Sequence, residues 1–378
     1  MKDDFKHIRA YHTGLFLQLF DWVTILPVCK YFQCKTAKSL TLSWHGDKNS
    51  IKKDIKKGAV FITNHRDIVM DAAWLSMLLR TKMNIRPYMG VGTNLFGKKW
   101  IEIVMRFNRC FCVIRGGSPR TIMENSKTLS RYIHSLRNRH KCIWIAQREG
   151  RAKDSNDLTQ PAVLKMLTMA NENNFIEAVR DLNICPVSIT YEYDPCDYLK
   201  AREMQLKRDN PQWRKRPLDD MISMKTGITG QKGRVVYRIT PCINDKLDDI
   251  AAKTSIRNEQ IQLVCDVIDQ QIHAAYEIFN RGKEFDDYIE SRIAMINIPN
   301  KDEAFLREKL YEMYSWVKAT VSMANKFFAE NIKQNVSEMA AQSVTEFKRS
   351  EAQRKKDKRI EAVYAVLDKI GWSNEKVT

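Results

Sequence analysis

No pair of the nine cysteines stands in a C-x-x-C arrangement with ligand-like neighbours, which argues against a zinc site. Their odd number, with no disulfide-like framing, points to a reducing compartment, and several sit inside apolar runs as small buried hydrophobes. The first residues, Met1-Lys-Asp-Asp-Phe-Lys-His7, mix both charges and carry no small-residue cleavage site, so a secretory signal is not expected. A spanning helix needs about 20 mostly apolar residues without buried charge. The longest apolar stretch, residues 14–32, is interrupted by Asp21 and Pro27. There is no internal repeat and no low-complexity tract. Clustered carboxylates or extra histidines of the kind that support metal-assisted hydrolysis are also missing, which weakens a phosphoesterase reading.

What is present describes a folded, basic protein. Of 378 residues, 44% are hydrophobic and 29% charged, a globular balance that leaves room for one or two domains. The net charge of +18 implies an anionic partner, whether phosphate-bearing substrate, acidic membrane or nucleic acid. Composition does not choose among these. Residues 1–45 are expected to form a hydrophobic segment. It either packs on the core or lies among lipid headgroups, with Phe16, Phe20, Trp22 and Tyr31 toward lipid and Lys30 and Lys35 at the rim. Residues 46–243 alternate strands with helices, beginning with a polar connector at 43–57. Residues 244–378 read as helical, with patterns at 261–279 and 305–328 and a basic tail at 347–360 that is either an anion-binding arm or a solvated helix face.

Within the middle segment, apolar strands are expected at 59–63, 86–91, 110–114, 142–146, 183–191 and 234–240. Helices are expected at 71–80, 120–139 and 161–180, a loop and helix at 92–107, and a charged excursion of loop or short helices at 192–232. This alternation predicts an α/β fold with a largely parallel sheet, helices on both faces and an added C-terminal helical region. Three strands end in residues suited to catalysis or anion binding: Asn64-His65, then Arg115-Gly116-Gly117, then Glu149-Gly150-Arg151-Ala152-Lys153. Parallel sheets bind ligands at the carboxyl ends of their strands, so these endings are expected to share one crevice. Gly116, Gly117 and Gly150 would let the backbone approach a phosphate closely. A helix cap explains Asn64 or Asp67 taken alone, but not three such endings in succession. A charge-driven membrane- or nucleic-acid-binding protein leaves them equally unexplained.

Four blocks follow in order: Asn64-His65 with Asp71, Phe111 to Arg115, Glu149-Gly150-Arg151 with Lys153, and Ile184-Cys185-Pro186-Val187-Ser188-Ile189. Over residues 58–240 this order resembles the glycerolipid acyltransferases, which include lysophosphatidic acid and glycerol-3-phosphate acyltransferases. The family's aspartate stands five residues after the histidine; here Asp71 stands six after His65, and Asp67 two after. In the second block Phe111 comes one residue early, with Cys112 in its place. In the third, Arg151 also comes one residue early, Ala152 takes the usual arginine position and Lys153 is the nearby cation.

The resemblance implies transfer of a fatty acyl group from acyl-CoA or acyl carrier protein to a hydroxyl of a phosphorylated glycerol acceptor. His65 would be the base, with Asp71 or else Asp67 fixing its tautomer. Arg115, Arg151 and Lys153 would hold the acceptor phosphate, Glu149 would orient those groups, and Asn64, Gly116 and Gly150 would complete the substrate-binding set. Neither a metal nor an organic cofactor is implied, and no nucleic acid is expected. The implied setting is cytoplasmic and peripheral, on the inner face of a membrane. A different lyso-lipid acceptor, such as an amino-acid lipid, is the alternative.

Overall fold

Val60 and Ile62 turn their side chains to one side of a central sheet and Phe61 turns to the other, so a four-residue strand feeds two hydrophobic cores. The computed structural model describes residues 5, 8–10, 21–96, 99–114, 116–153, 157–170, 174–282 and 284–315. Its sheet has seven strands: β1 (Ala37–Trp44), β2 (Val60–Thr63), β3 (Tyr88–Gly92), β4 (Cys110–Val113), β5 (Ile143–Ala146), β6 (Ile184–Tyr191) and β7 (Gly233–Ile239). Their order is β1-β7-β6-β2-β5-β3-β4. Only β6 and β7 pair antiparallel, so β1 and β7 run against the other five. The expected α/β fold with a mostly parallel sheet and flanking helices is what the chain forms.

Helices α1 (Leu26–Thr36), α2 (Lys48–Lys56) and α3 (Met70–Met83) cover the Phe61 face, burying Cys29, Ile51, Ile55, Trp74 and Leu78. After α4 (Lys99–Phe107), the opposite face takes α5 (Pro119–Arg137), α6 (Pro161–Leu167) and α7 (Phe175–Leu182). Two further helices, α8 (Asp197–Asp209) and α9 (Pro217–Thr229), lie between β6 and β7. Beyond β7, α10 (Leu247–Lys253) and α11 (Arg257–Ala274) return to the Val60 face, where Ile261, Val264, Ile268 and Ile272 are buried. A smaller core joins α8 to α12 (Glu284–Ala294) and α13 (Glu303–Tyr314) through Ala201, Ile289, Ile293, Leu306 and Leu310.

Local chemistry explains several boundaries. Asp47 caps α2 by accepting the Asn49 and Ser50 N–H groups, which turns the expected connector into a helix. Ser118 caps α5 with Pro119 as its first residue, and Asn84 ends α3 in the left-handed region. The expected helix at 161–180 is two helices, the first ending at Leu167. The 192–232 excursion is mostly ordered as α8 and α9. Strand β1 had not been anticipated. Its alternation brings Leu40, Leu42 and Trp44 to the core with polar residues between them. Part of the N-terminal segment (residues 11–20), the end of the 305–328 pattern and the basic stretch at 347–360 lie outside the described residues. No helix among the described residues is long and apolar enough to cross a membrane. All nine cysteines are free, and eight are buried.

Candidate active site

The turn from β2 into α3 holds the first block. His65 Nδ1 lies 2.9 Å from Asp71 Oδ2, and that oxygen also accepts the N–H groups of Arg66 (2.6 Å) and Asp67 (2.9 Å). The other carboxylate oxygen accepts the Tyr191 hydroxyl at 2.8 Å. Asp71 is wholly buried, and four donors therefore fix its orientation. Burial, reinforced by Asp71, pushes the Tyr191 phenol well above its usual range, so it stays a donor. The Tyr237 hydroxyl donates to the Asp71 carbonyl at 3.1 Å and steadies the first turn of α3.

Asp67 has a different task. Its Oδ1 accepts the Val69 and Met70 N–H groups at 2.8 and 2.7 Å, capping α3. Burial, with Asp71 adding to it, raises the Asp67 pKa. The partner that the hydrogen bonds give to His65 is Asp71. The extra residue in the turn is taken up before the helix, so Asp71 still reaches back to the ring.

Asn64, expected among the substrate-binding residues, lies beneath the turn with its amide bonded to β6. It is wholly buried; its amide donates to the Ile189 carbonyl at 2.9 Å and accepts the Ile189 N–H at 2.8 Å, tying β2 to β6. Asn64 also donates to Asp157, which accepts Arg66 Nη2 (2.6 Å) and the Tyr276 hydroxyl (2.7 Å). His273 Nε2 meets the Asp157 carbonyl at 3.1 Å. A buried polar network thus underlies the histidine turn, and part of it comes from α11 and the residues after it.

With Nδ1 engaged by Asp71, the His65 Nε2 is the ring nitrogen left for substrate. The ring packs edge-on to Trp144, with centroids 6.2 Å apart, and the Trp144 indole donates to Thr63 Oγ1. His65 lines a cavity of about 480 Å³ together with Glu149, Gly150, Arg151 and Lys153. The first and third blocks therefore meet, as adjacent strands β2 and β5 require. The Ala152 N–H donates to the His65 carbonyl at 2.8 Å, locking the two loops together. Gly150 takes a φ of +72°, which a side chain there would strain.

The cations in this cavity differ. Arg151 keeps a buried Nη1 with no hydrogen-bond partner among the described residues. Burial opposes its charge, but Cys196, Asp194 and Asp67 hold its pKa above the ordinary value. Lys153 is paired with Glu203 of α8 at 2.5 Å, and burial lowers its pKa. Arg148 and Lys215 also line the cavity. Arg115 lies outside the described residues. Gly116 follows β4 at the far edge of the sheet and is not among the lining residues.

Sequence reasoning missed Tyr191, Asp157, Trp144 and Lys215. Tyr191 carried one signal, a hydroxyl at the end of an otherwise apolar strand. Asp157 carried none, because its partners are 91 to 119 positions away in the chain.

Residues 42–190 match the family model described as Acyltransferase, and over that span the chain carries a domain of the glycerolipid acyltransferase family. The match runs from within β1 into β6 and contains the histidine turn and the Glu149–Lys153 loop. No curated protein matches the chain. The matched domain supports acyltransferase activity in general.

Proposed function

We propose that the protein transfers a fatty acyl group from a thioester, acyl-CoA or acyl carrier protein, to a hydroxyl of a phosphorylated glycerol acceptor. The observation that carries this reading is His65, held at Nδ1 by Asp71, lining one cavity with Arg151 and Lys153. The neutral ring takes the acceptor's hydroxyl proton at Nε2 as that oxygen attacks the thioester carbonyl. Asp71 stabilises the imidazolium, as in a catalytic triad without a protein nucleophile. The tetrahedral intermediate then collapses, its C–S bond breaks, and the imidazolium returns the proton to the leaving thiolate. Donors of the 148–153 loop are the groups we assign to the oxyanion. The acceptor phosphate goes to Arg151, whose fork suits bidentate contact, with Lys153 beside it.

This reading places the enzyme peripherally on the cytoplasmic face of a membrane. Its support is α9, which exposes Leu218, Met221 and Ile222 while Asp220 and the preceding Lys215 line the cavity.

The test is transfer of labelled acyl groups from acyl-CoA to glycerol 3-phosphate, lysophosphatidic acid and lyso-amino-acid lipids, with parent protein and His65→Ala. Turnover on a phosphorylated glycerol acceptor is expected, abolished in the variant, whose melting transition is unchanged. Substantial residual turnover in a folded His65→Ala protein would sink the dyad mechanism. Turnover on the amino-acid lipid alone would move the acceptor.

A further inference from the structure

The opposite end of the sheet holds a larger concavity, about 1190 Å³, built where β3, β4 and β5 begin and where α2 and α3 end. Eight of its lining side chains are Lys or Arg, and none of the described ones is Asp or Glu. Lys52, Lys53, Lys56, Lys82, Arg109 and Lys141 take part in no ion pair among the described residues. Some basic residues are expected at helix C-termini, where they meet the negative end of the dipole. Two helix ends do not explain these six cations gathered in one cleft whose described lining holds no carboxylate. Such a cleft focuses its field on any anion that enters.

Three non-glycine residues with left-handed backbone line it: Asn84 (φ 54°), Arg109 (φ 58°) and His140 (φ 54°). Each sits just ahead of a strand and bends the chain there. Arg109 is further fixed by its guanidinium over the Tyr88 ring (5.2 Å) and by donation to the Arg86 carbonyl (3.1 Å). Ile55, Met83 and Ile85 give the cleft apolar surface beside the charge.

We infer that this cleft is a second anion site, distinct from the His65 cavity, and that it binds a soluble ligand bearing several phosphates. One phosphate is satisfied by two or three cations; six without an ion pair, spread over a cleft of this volume, fit a chain of them. The choice of a soluble ligand over a lipid headgroup rests on the proposed function. If the His65 end faces the membrane to take a lipid acceptor, the beginnings of the same strands face away from it. The four residues of β5, roughly 13 Å of extended chain, separate Cys142 at the cleft from Ala146 at the cavity.

The experiment is calorimetric titration of the full chain with inorganic tripolyphosphate at 0.15 M salt, where distant charges are largely screened (Debye length about 8 Å). Four variants are compared with the parent. K53Q/K56Q/K82Q/K141Q changes exposed lysines of the cleft, K165Q/K225Q/K246Q/K253Q changes four exposed lysines elsewhere, and H65A and R151A report on the catalytic cavity. Saturable binding is expected, weakened about ten-fold or more by the cleft variant and left within about two-fold by the other three. Equal weakening by both lysine quadruples would mean general charge attraction and overturn the site. Loss in R151A would assign the binding to the catalytic cavity. Binding to anionic phosphatidylglycerol vesicles with none to tripolyphosphate would overturn the soluble ligand. Because the readout is binding and not turnover, a failure here is separable from a failure of the acyltransferase assay.

Discussion

Asp71 illustrates how far one residue's work can be read from its neighbours in the chain. Its place at the start of a helix made it a candidate orienter despite a spacing from His65 one residue longer than the family's, and the hydrogen bond at Nδ1 agrees with that role. The fourth donor, Tyr191, lies 120 positions downstream, beyond the reach of any local pattern. Without its hydroxyl the buried carboxylate would lose a charge-assisted hydrogen bond, worth about 1.5–3 kcal/mol. Tyr191→Phe is therefore expected to lower kcat by about ten-fold or more while KM changes little, because the side chain does not line the cavity. Steady-state kinetics across pH provide the check: the positioning role also predicts a shifted basic-form limb of the rate profile, which a purely structural defect would not produce. An unchanged kcat would leave Tyr191 with packing alone.

Among the elements, the short buried strands were the most legible, since continuous apolar runs between polar turns leave few alternatives. Strand β1 escaped because only one of its faces is buried and its polar face merges with the connector that follows. For the 192–232 excursion the choice between loop and short helices stayed open for a related reason: charge dominates the composition of α8, and its burial comes from partners outside the excursion, such as Ile289 and Leu306. The packing of α9 depends on an absence. A Cβ added at Gly227 would stand 2.0 Å from Asp67 Oδ2, so only glycine lets this helix lie against the residue that caps α3. Gly227→Ala is expected to destabilise the protein by roughly 1–3 kcal/mol, as overpacked interiors generally do. It should also reduce turnover, because the displaced Asp67 carries the start of the helix that bears Asp71. Denaturant unfolding and the acyl-transfer assay measure the two effects; a variant of parental stability would show that α9 yields freely.

At the scale of the molecule, the C-terminal helices were recognised as helical, but their part in the site was not visible in sequence, because it depends on which sheet face they cover. Helix α11 buries Asp269 against Thr159, whose N–H donates to Oδ1 at 2.8 Å. Burial raises the Asp269 pKa to about 7. The unfolded chain releases this proton near pH 4, the folded protein only near pH 7. The folded state therefore holds the extra proton between those values. This contribution to stability is complete below about pH 4 and is lost as the pH rises to about 7. Asp269→Asn, which cannot ionise, is expected to flatten that part of the stability profile, read as a smaller fall in melting temperature between pH 5 and pH 7.5 than in the parent. Identical slopes would assign the pH dependence to other groups.

The Tyr276 hydroxyl on Asp157 has a consequence for what counts as a unit of inheritance here. The span that matches the acyltransferase family ends at residue 190, yet the carboxylate beneath its histidine turn is held by a tyrosine 86 residues later, just past a helix that covers the Val60 face. A gene fragment cut at the borders of the similarity would encode the catalytic blocks with one side of their sheet stripped of part of its covering, the helix at Arg257–Ala274. In this chain the catalytic blocks can be exchanged for others only if the replacement also accommodates Tyr276 and the helix before it.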